Sequence, residues 1–435
     1  MEYSRTELLP GVFLSHLRSD KFKTACMSLT LLTQLRRESA AMNALIPYVL
    51  RRGTTRYGDM EALSRRMDAL YGTAIEPVVR RVGEIQCIGF YGSFPEEAYL
   101  PGGEKLLPSA VGLMADMLLS PNTRGGLLLP QYVDSEKEKL LERIRSRIND
   151  KRSYSLARCI EEMCCYEDFA VGRFGSEAEA ENINYKKLTR QYRSLLQTSP
   201  IEIFYCGRST KKELVSCLRD VLSALPRGEI DYDIGTDVRM NALEEKPRTV
   251  TEELDVTQGK LVIGYRLGEC MEEAEPAAIF VFNCVFGGGT TSKLFMNVRE
   301  RLQLCYYASS MVSLQKGLLL VASGIEFDQF EVARDEIFRQ LDAIRQGDIS
   351  DEELNSAKSC VASDLRAYMD SQGELEGFYL TRALEGLEYG PMELAELVED
   401  VTKEDVMGIA NSLACDMIYF LKGNGQAEED EDAAE

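Results

Sequence analysis

Ile201-Glu-Ile-Phe-Tyr-Cys-Gly207 is a short, mostly apolar run that ends on glycine after a long stretch of charged text. A run of this length, rich in β-formers and closed by a breaker, reads as a buried strand. The arrangement returns as Asp416-Met-Ile-Tyr-Phe-Leu-Lys-Gly423. Helical text precedes each run: Asp134–Asp150, Ser153–Asp168 and Asn184–Gln197 before the first, and Asp351–Tyr368, Gly373–Tyr389 and Thr402–Leu413 before the second. Repetition on this scale predicts two similar halves, each with helices returning to one sheet.

The openings of the halves agree. Gly11–Phe22 and Lys23–Leu32 read as strands followed by a helix from about Ser39, and Leu254–Tyr265 reads as a strand followed by a helix over Glu275–Phe286. Between the halves, residues 226–249 are rich in breakers and charge and read as a linker. Mixed strand and helix order predicts an α+β fold of two pseudo-repeated α/β domains, residues 1–225 and 250–423. Six acids among the last eight residues make 424–435 an expected disordered tail.

Composition narrows the chemistry. Lys+Arg 50 against Asp+Glu 71 leaves a net charge of -21, which disfavours nucleic acid or an anionic membrane as partner. The twelve cysteines contain no Cys-x-x-Cys pair and read as reduced thiols. Met1–Pro10 carries Glu2, Arg5 and Glu7 without an apolar core, and no run of 18 apolar residues follows, so no membrane span and a cytoplasmic location are expected. His16 is the single histidine, inside the apolar run Val12–Leu17, so this chain cannot supply the two or three imidazoles of a usual zinc site. No Gly-x-Ser-x-Gly elbow offers a serine nucleophile. In Phe286-Gly-Gly-Gly-Thr-Thr-Ser-Lys-Leu-Phe295 a phosphate loop fails, because Ser292 precedes Lys293 and Leu294 follows it.

That segment continues as Met-Asn-Val-Arg299-Glu-Arg-Leu-Gln-Leu-Cys-Tyr306, and from Gly287 to Tyr306 it resembles the second domain of insulinase/pitrilysin-type zinc peptidases, which include the mitochondrial processing peptidases. The pattern there is a Gly-rich turn, small hydroxyl residues, Leu-Phe, then Arg and a Tyr seven positions on. Leu63-Ser-Arg-Arg-Met-Asp-Ala-Leu-Tyr-Gly72, Lys21–Thr24 and Thr257–Tyr265 are similar to bacterial two-domain members, and the likeness spans about residues 5 to 424. It implies a processing-peptidase-like fold with a mainly antiparallel, helix-covered sheet in each domain.

The chain departs from the family where metal is held. Asn43-Ala-Leu-Ile-Pro-Tyr-Val-Leu-Arg-Arg-Gly-Thr54 resembles the helix that carries His-x-x-Glu-His in active members. There two His on one helix face grip zinc and the Glu activates water. Here Ala44 and Tyr48 stand at the His positions and Pro47 at the Glu position, while Glu136 matches the third ligand and reads as a helix-surface or vestigial residue. The resemblance implies no metal on this chain and a non-catalytic subunit. Arg299 and Tyr306 would serve a zinc-bearing paralogue as donors to a substrate carbonyl. Gly287, Gly288 and Gly289 would allow close backbone approach, or supply left-handed turn dihedrals. The expected substrate is an extended peptide or small protein, bound partly by adding to a sheet edge. The alternative is an inert peptide-binding or scaffold homodimer.

Overall fold

The computed structural model describes residues 1–101, 105–269, 271, 276–387 and 389–424, and the chain forms two compact units. From residue 425 onward the expected acidic tail lies outside the described residues.

The first unit comprises Met1–Ser146, Val171–Gly235 and Ser371–Glu388. Its strands are β1 (Glu2–Leu9), β2 (Val12–Arg18), β3 (Thr24–Gln34), β4 (Ala74–Val82) and β5 (Ile85–Pro95), then a small hairpin of β6 (Thr123–Arg124) and β7 (Leu127–Leu128), and β8 (Ile201–Gly207). The six-stranded sheet runs β1-β2-β8-β3-β5-β4 and is antiparallel apart from β2 against β8. Alternation along the strands divides two cores. Leu31 and Ile88 pack in the main core with Leu45 of the Ala40–Leu50 helix and Met114 of the Leu107–Leu119 helix. Their chain neighbours Leu32 and Cys87 meet Leu380 of the Gln372–Glu385 helix.

The second unit comprises Arg147–Ala170, Thr236–Asp370 and Tyr389–Glu435. Its strands are β9 (Arg248–Leu254), β10 (Gly259–Arg266), β11 (Cys305–Ser313), β12 (Leu318–Ile325) and β13 (Ala414–Gly423), ordered β11-β12-β10-β13-β9. Only the β13–β9 pairing is parallel among those of this sheet. Read from its other end, this is the β2-β8-β3-β5-β4 order of the first sheet, with the parallel pair in the same place. The α+β architecture with mainly antiparallel, repeated sheets is therefore as expected.

Three features differ from the sequence reading. β1 carried no apolar signal, because it is an edge strand with mostly solvent-accessible residues. Leu254–Tyr265 is not one strand: β9 ends at Leu254, β10 begins at Gly259, and β9 starts inside the expected linker. The helices Lys151–Met163 and Gln372–Glu385 do not return to the sheets of their own halves. Cys159 and Met163 pack on Val262, Met417 and Tyr419 of β10 and β13, where Gly264 leaves room: a Cβ there would lie 2.6 Å from Met163 Sδ. Reciprocally, Gln372 donates to the carbonyls of Thr24 (2.8 Å) and Cys206 (3.1 Å), and Arg80 forks onto Glu376 at 2.7 and 3.0 Å. Amphipathic periodicity specifies that a helix has a buried face, not which sheet receives it.

A buried ion cluster secures the first of these exchanges. Arg266 binds Glu167 (2.7 Å) and Asp416 (2.9 Å), and Lys316 binds Glu167 at 2.7 Å, with both cations fully buried. Burial alone raises the Glu167 carboxyl, but hydrogen bonds and charge from Arg266 and Lys316 more than reverse this and hold it below its ordinary value.

Candidate functional site

The segment that the resemblance sets against the zinc helix of active peptidases is helical, spanning Ala40–Leu50 with Pro47 inside it. Ala44 is fully buried in the main core, so its methyl packs where a ligand would be needed. Tyr48 is half-buried beneath the Arg143 guanidinium, 4.5 Å from its ring centroid. Asn43 donates to Gln86 (3.0 Å) and accepts from Gln191 (2.8 Å), fastening the helix through amides.

Glu136 corrects the sequence reading. It is 7% exposed on the Pro130–Arg145 helix, and its Oε1 accepts from Arg52 at 3.0 Å and Lys139 at 2.8 Å. Arg52 follows the degenerate helix and also lies 5.1 Å from the Tyr132 ring centroid. The carboxylate is thus neutralised by two cations, of which Arg52 is largely buried, and a dication would have to displace that guanidinium. With a methyl, a proline ring and an arginine-capped phenol at the other positions, this donor set does not fit zinc. No group of three or more His, Cys, Asp or Glu suited to a metal occurs among the described residues. The lone histidine is a packed strand residue: His16 Nε2 lies 2.9 Å from the Ser209 carbonyl, and burial lowers its pKa.

The Gly-rich segment departs from one of the two expectations, the left-handed turn. After the Pro276–Asn283 helix the chain widens into a π-helical turn over Cys284–Gly288 and another over Leu294–Arg301. Such turns are rare and recur at functional sites. Gly287, Gly288 and Gly289 do not adopt left-handed dihedrals. Their value is proximity inside the unit: a Cβ on Gly287 would lie 2.7 Å from Ser310 Oγ on β11, and one on Gly288 2.7 Å from Asn283 Nδ2. Ser310 Oγ donates to Asn283 Oδ1 at 2.7 Å, which closes the turn onto the strand.

Arg299 stands on the second π-helical turn, half-exposed, with its guanidinium 4.6 Å from the Phe295 ring centroid and 3.7 Å from Glu300 Oε1. Tyr306 is 69% exposed. It sits at a register shift of β11, between Cys305 opposite Ile325 and Tyr307 opposite Gly324. The extra residue of such a bulge is re-aimed out of the strand pattern. Between the two, Gln303 takes φ 53, an uncommon left-handed conformation for a non-glycine residue. The structure thus carries Arg299 near the end of the π-helical turn and Tyr306 at the start of the strand that follows, and leaves both accessible. Sequence reasoning missed Gln303, the bulge and Ser310, since none has a local composition signal. It also missed Arg152, which lies 4.2 Å from the Tyr307 ring centroid and donates to Ser309 at 3.0 Å.

The chain is similar to several known proteins. Residues 182–360 match the family model described as "Peptidase M16 inactive domain". The chain is 33% identical over 416 residues to the "Probable inactive metalloprotease YmfF" of Bacillus subtilis, covering 95% of this chain and 96% of that one. An uncharacterized zinc protease of Streptomyces coelicolor is 22% identical over 321 residues, 71% of this chain and 67% of that one. Among solved structures, a conserved protein from Enterococcus faecalis superposes with TM-score 0.87 at 26% identity, covering 97% of this chain and 99% of that one. A protease from Helicobacter pylori shares the fold with TM-score 0.79 at 15% identity, covering 97% and 99%.

Proposed function

This chain belongs to the M16, or insulinase/pitrilysin-type, peptidase family as an inactive member, and from that premise we propose that it is the non-catalytic subunit of a two-chain zinc peptidase. A zinc-bearing paralogue would supply metal and general base. This chain would present Arg299 as a fixed cation and Tyr306 as a phenol donor to the carbonyl of an extended peptide, favouring the developing oxyanion. The observation that carries the reading is the contrast between the two places. Glu136 is ion-paired with Arg52 and Lys139, while Arg299 and Tyr306 stay accessible on either side of a connection with uncommon backbone geometry.

The setting we assign is a reducing compartment such as the cytoplasm. Support comes from the cysteines: those described have free thiols, and burial pushes Cys206 up to about 11 and Cys164 up to about 12. Thiols so poised react poorly. No helix among the described residues is long and apolar enough to cross a membrane.

The test is zinc content and cleavage of a fluorogenic peptide mixture by this chain alone and mixed with the His-x-x-Glu-His paralogue of its own genome. Zinc and cleavage only in the mixture are expected. Silence, with the two chains failing to associate, would replace this reading with an inert peptide-binding homodimer.

A further inference from the structure

On the second unit, a cleft of about 690 Å³ opens between the Leu294–Arg301 turn, the Phe330–Arg345 helix and the start of the Asp351–Ala367 helix. We propose that it binds short peptides through their free termini. Its volume lies within the range of roughly 300–1,000 Å³ typical of small-ligand sites.

The charges lining it come in both signs. Lys293, Asn297 and Arg301, spaced by four, line one wall. Lys293 is only 6% exposed, and of its three N–H donors one meets Glu353 Oε1, at 2.9 Å. A buried ammonium with donors to spare suits a carboxylate, and Arg301, about two turns along the same wall and without an ion-pair partner among the described residues, adds positive charge there. Asp348 and Glu352, which also line the cleft and are likewise without ion pairs among the described residues, suit an ammonium, while the remaining lining cation, Arg339, is paired with Glu336. Phosphate would meet the Lys293 and Arg301 donors but also the carboxylates of Asp348, Glu352 and Glu353, so an anion alone is a poorer match than a molecule with one charge of each sign. A peptide of two or three residues has that pattern at a separation of about 3.5 Å per residue.

The cleft is distinct from the Arg299–Tyr306 turn. Residues two apart on a helical turn face opposite ways, so the wall formed by Asn297 and Arg301 turns its back on Arg299. An occupant would grip the turn without touching Arg299. The proposal therefore stands on this chain alone and does not need a zinc-bearing partner.

Calorimetric titration of the full chain with tri-alanine, with N-acetyl-tri-alanine amide and with inorganic phosphate tests it. We expect saturable one-to-one binding of tri-alanine, weakened about tenfold or more by blocking the termini or by Arg301→Ala. Lys293→Met should abolish binding, but it removes the ion-pair partner of Glu353 and risks misfolding. The exposed Arg301→Ala is therefore the deciding variant, with an unchanged melting midpoint as its control. Equal binding of the blocked peptide, unchanged binding by Arg301→Ala, displacement of tri-alanine by phosphate, or no binding at millimolar peptide would each overturn the assignment.

Discussion

At the level of single residues, the proposed loss of metal turns on charge. Where a metal dication would neutralise Glu136, Arg52 and Lys139 already do so. Glu136→Gln should leave the Arg52 guanidinium half-desolvated and cost about 1–3 kcal/mol. In thermal melts this is a drop of roughly 2–4 °C per kcal/mol. A ligand role would instead require bound zinc that the variant loses, which elemental analysis of both proteins would reveal. At the other place, Tyr306→Phe should lower turnover of the mixed complex by about 10- to 100-fold by deleting one donor to the oxyanion. Arg299→Ala should act in the same direction, and neither should change association of the chains in a pull-down. Unaltered cleavage by both variants would remove these residues from the proposed mechanism.

Elements hold those residues in place by unusual means. Two π-helical turns flank the Gly-rich segment, Gln303 adopts a left-handed conformation, and a β-bulge re-aims Tyr306. Such features persist only where surrounding packing over-determines them, here through the Ser310–Asn283 closure against Gly287. The Glu167–Arg266–Lys316–Asp416 cluster does the same for the helix Lys151–Met163, and its pH dependence has a definite sign. The Glu167 pKa is depressed by folding, so its stabilisation is present above the unfolded value of about 4.3 and disappears as pH falls through the folded value. Acid titration followed by near-ultraviolet circular dichroism should therefore show tertiary structure failing below about pH 4. In Glu167→Gln that acid-side loss should be smaller and the neutral-pH stability lower. An identical acid transition in the variant would contradict this assignment.

For the whole molecule, the exchange of helices makes the halves interdependent. Residues 147–170 complete the second unit and residues 371–388 complete the first, so neither sequence half contains a finished unit. Fragments 1–235 and 236–435 expressed separately should be unstable. The first would lack the helix whose Tyr379 stacks on Tyr3 at 4.1 Å, and the second the helix under Gly264. Co-expressed, they should reassemble into a complex that co-purifies on one tag and melts cooperatively. Two independently folded, separable fragments would contradict the exchange.

The family was legible in the sequence from segments such as Leu63–Gly72 and Gly287–Tyr306, and the proposal that Ala44, Pro47 and Tyr48 replace a zinc motif while Arg299 and Tyr306 serve a substrate rests on that resemblance. The repeated sheet was legible from apolar runs such as Ile201–Gly207, because strand burial is written locally as an unbroken apolar stretch. Those features depend on neighbours in the chain, and the sequence by itself determined them. Only the tertiary structure decided that Glu136 is a buried ion-pair partner of Arg52, that Tyr306 stands on a bulge, and that two helices complete the opposite unit. Each depends on which distant surface arrives at a residue, and periodicity specifies that a face is buried without naming what buries it.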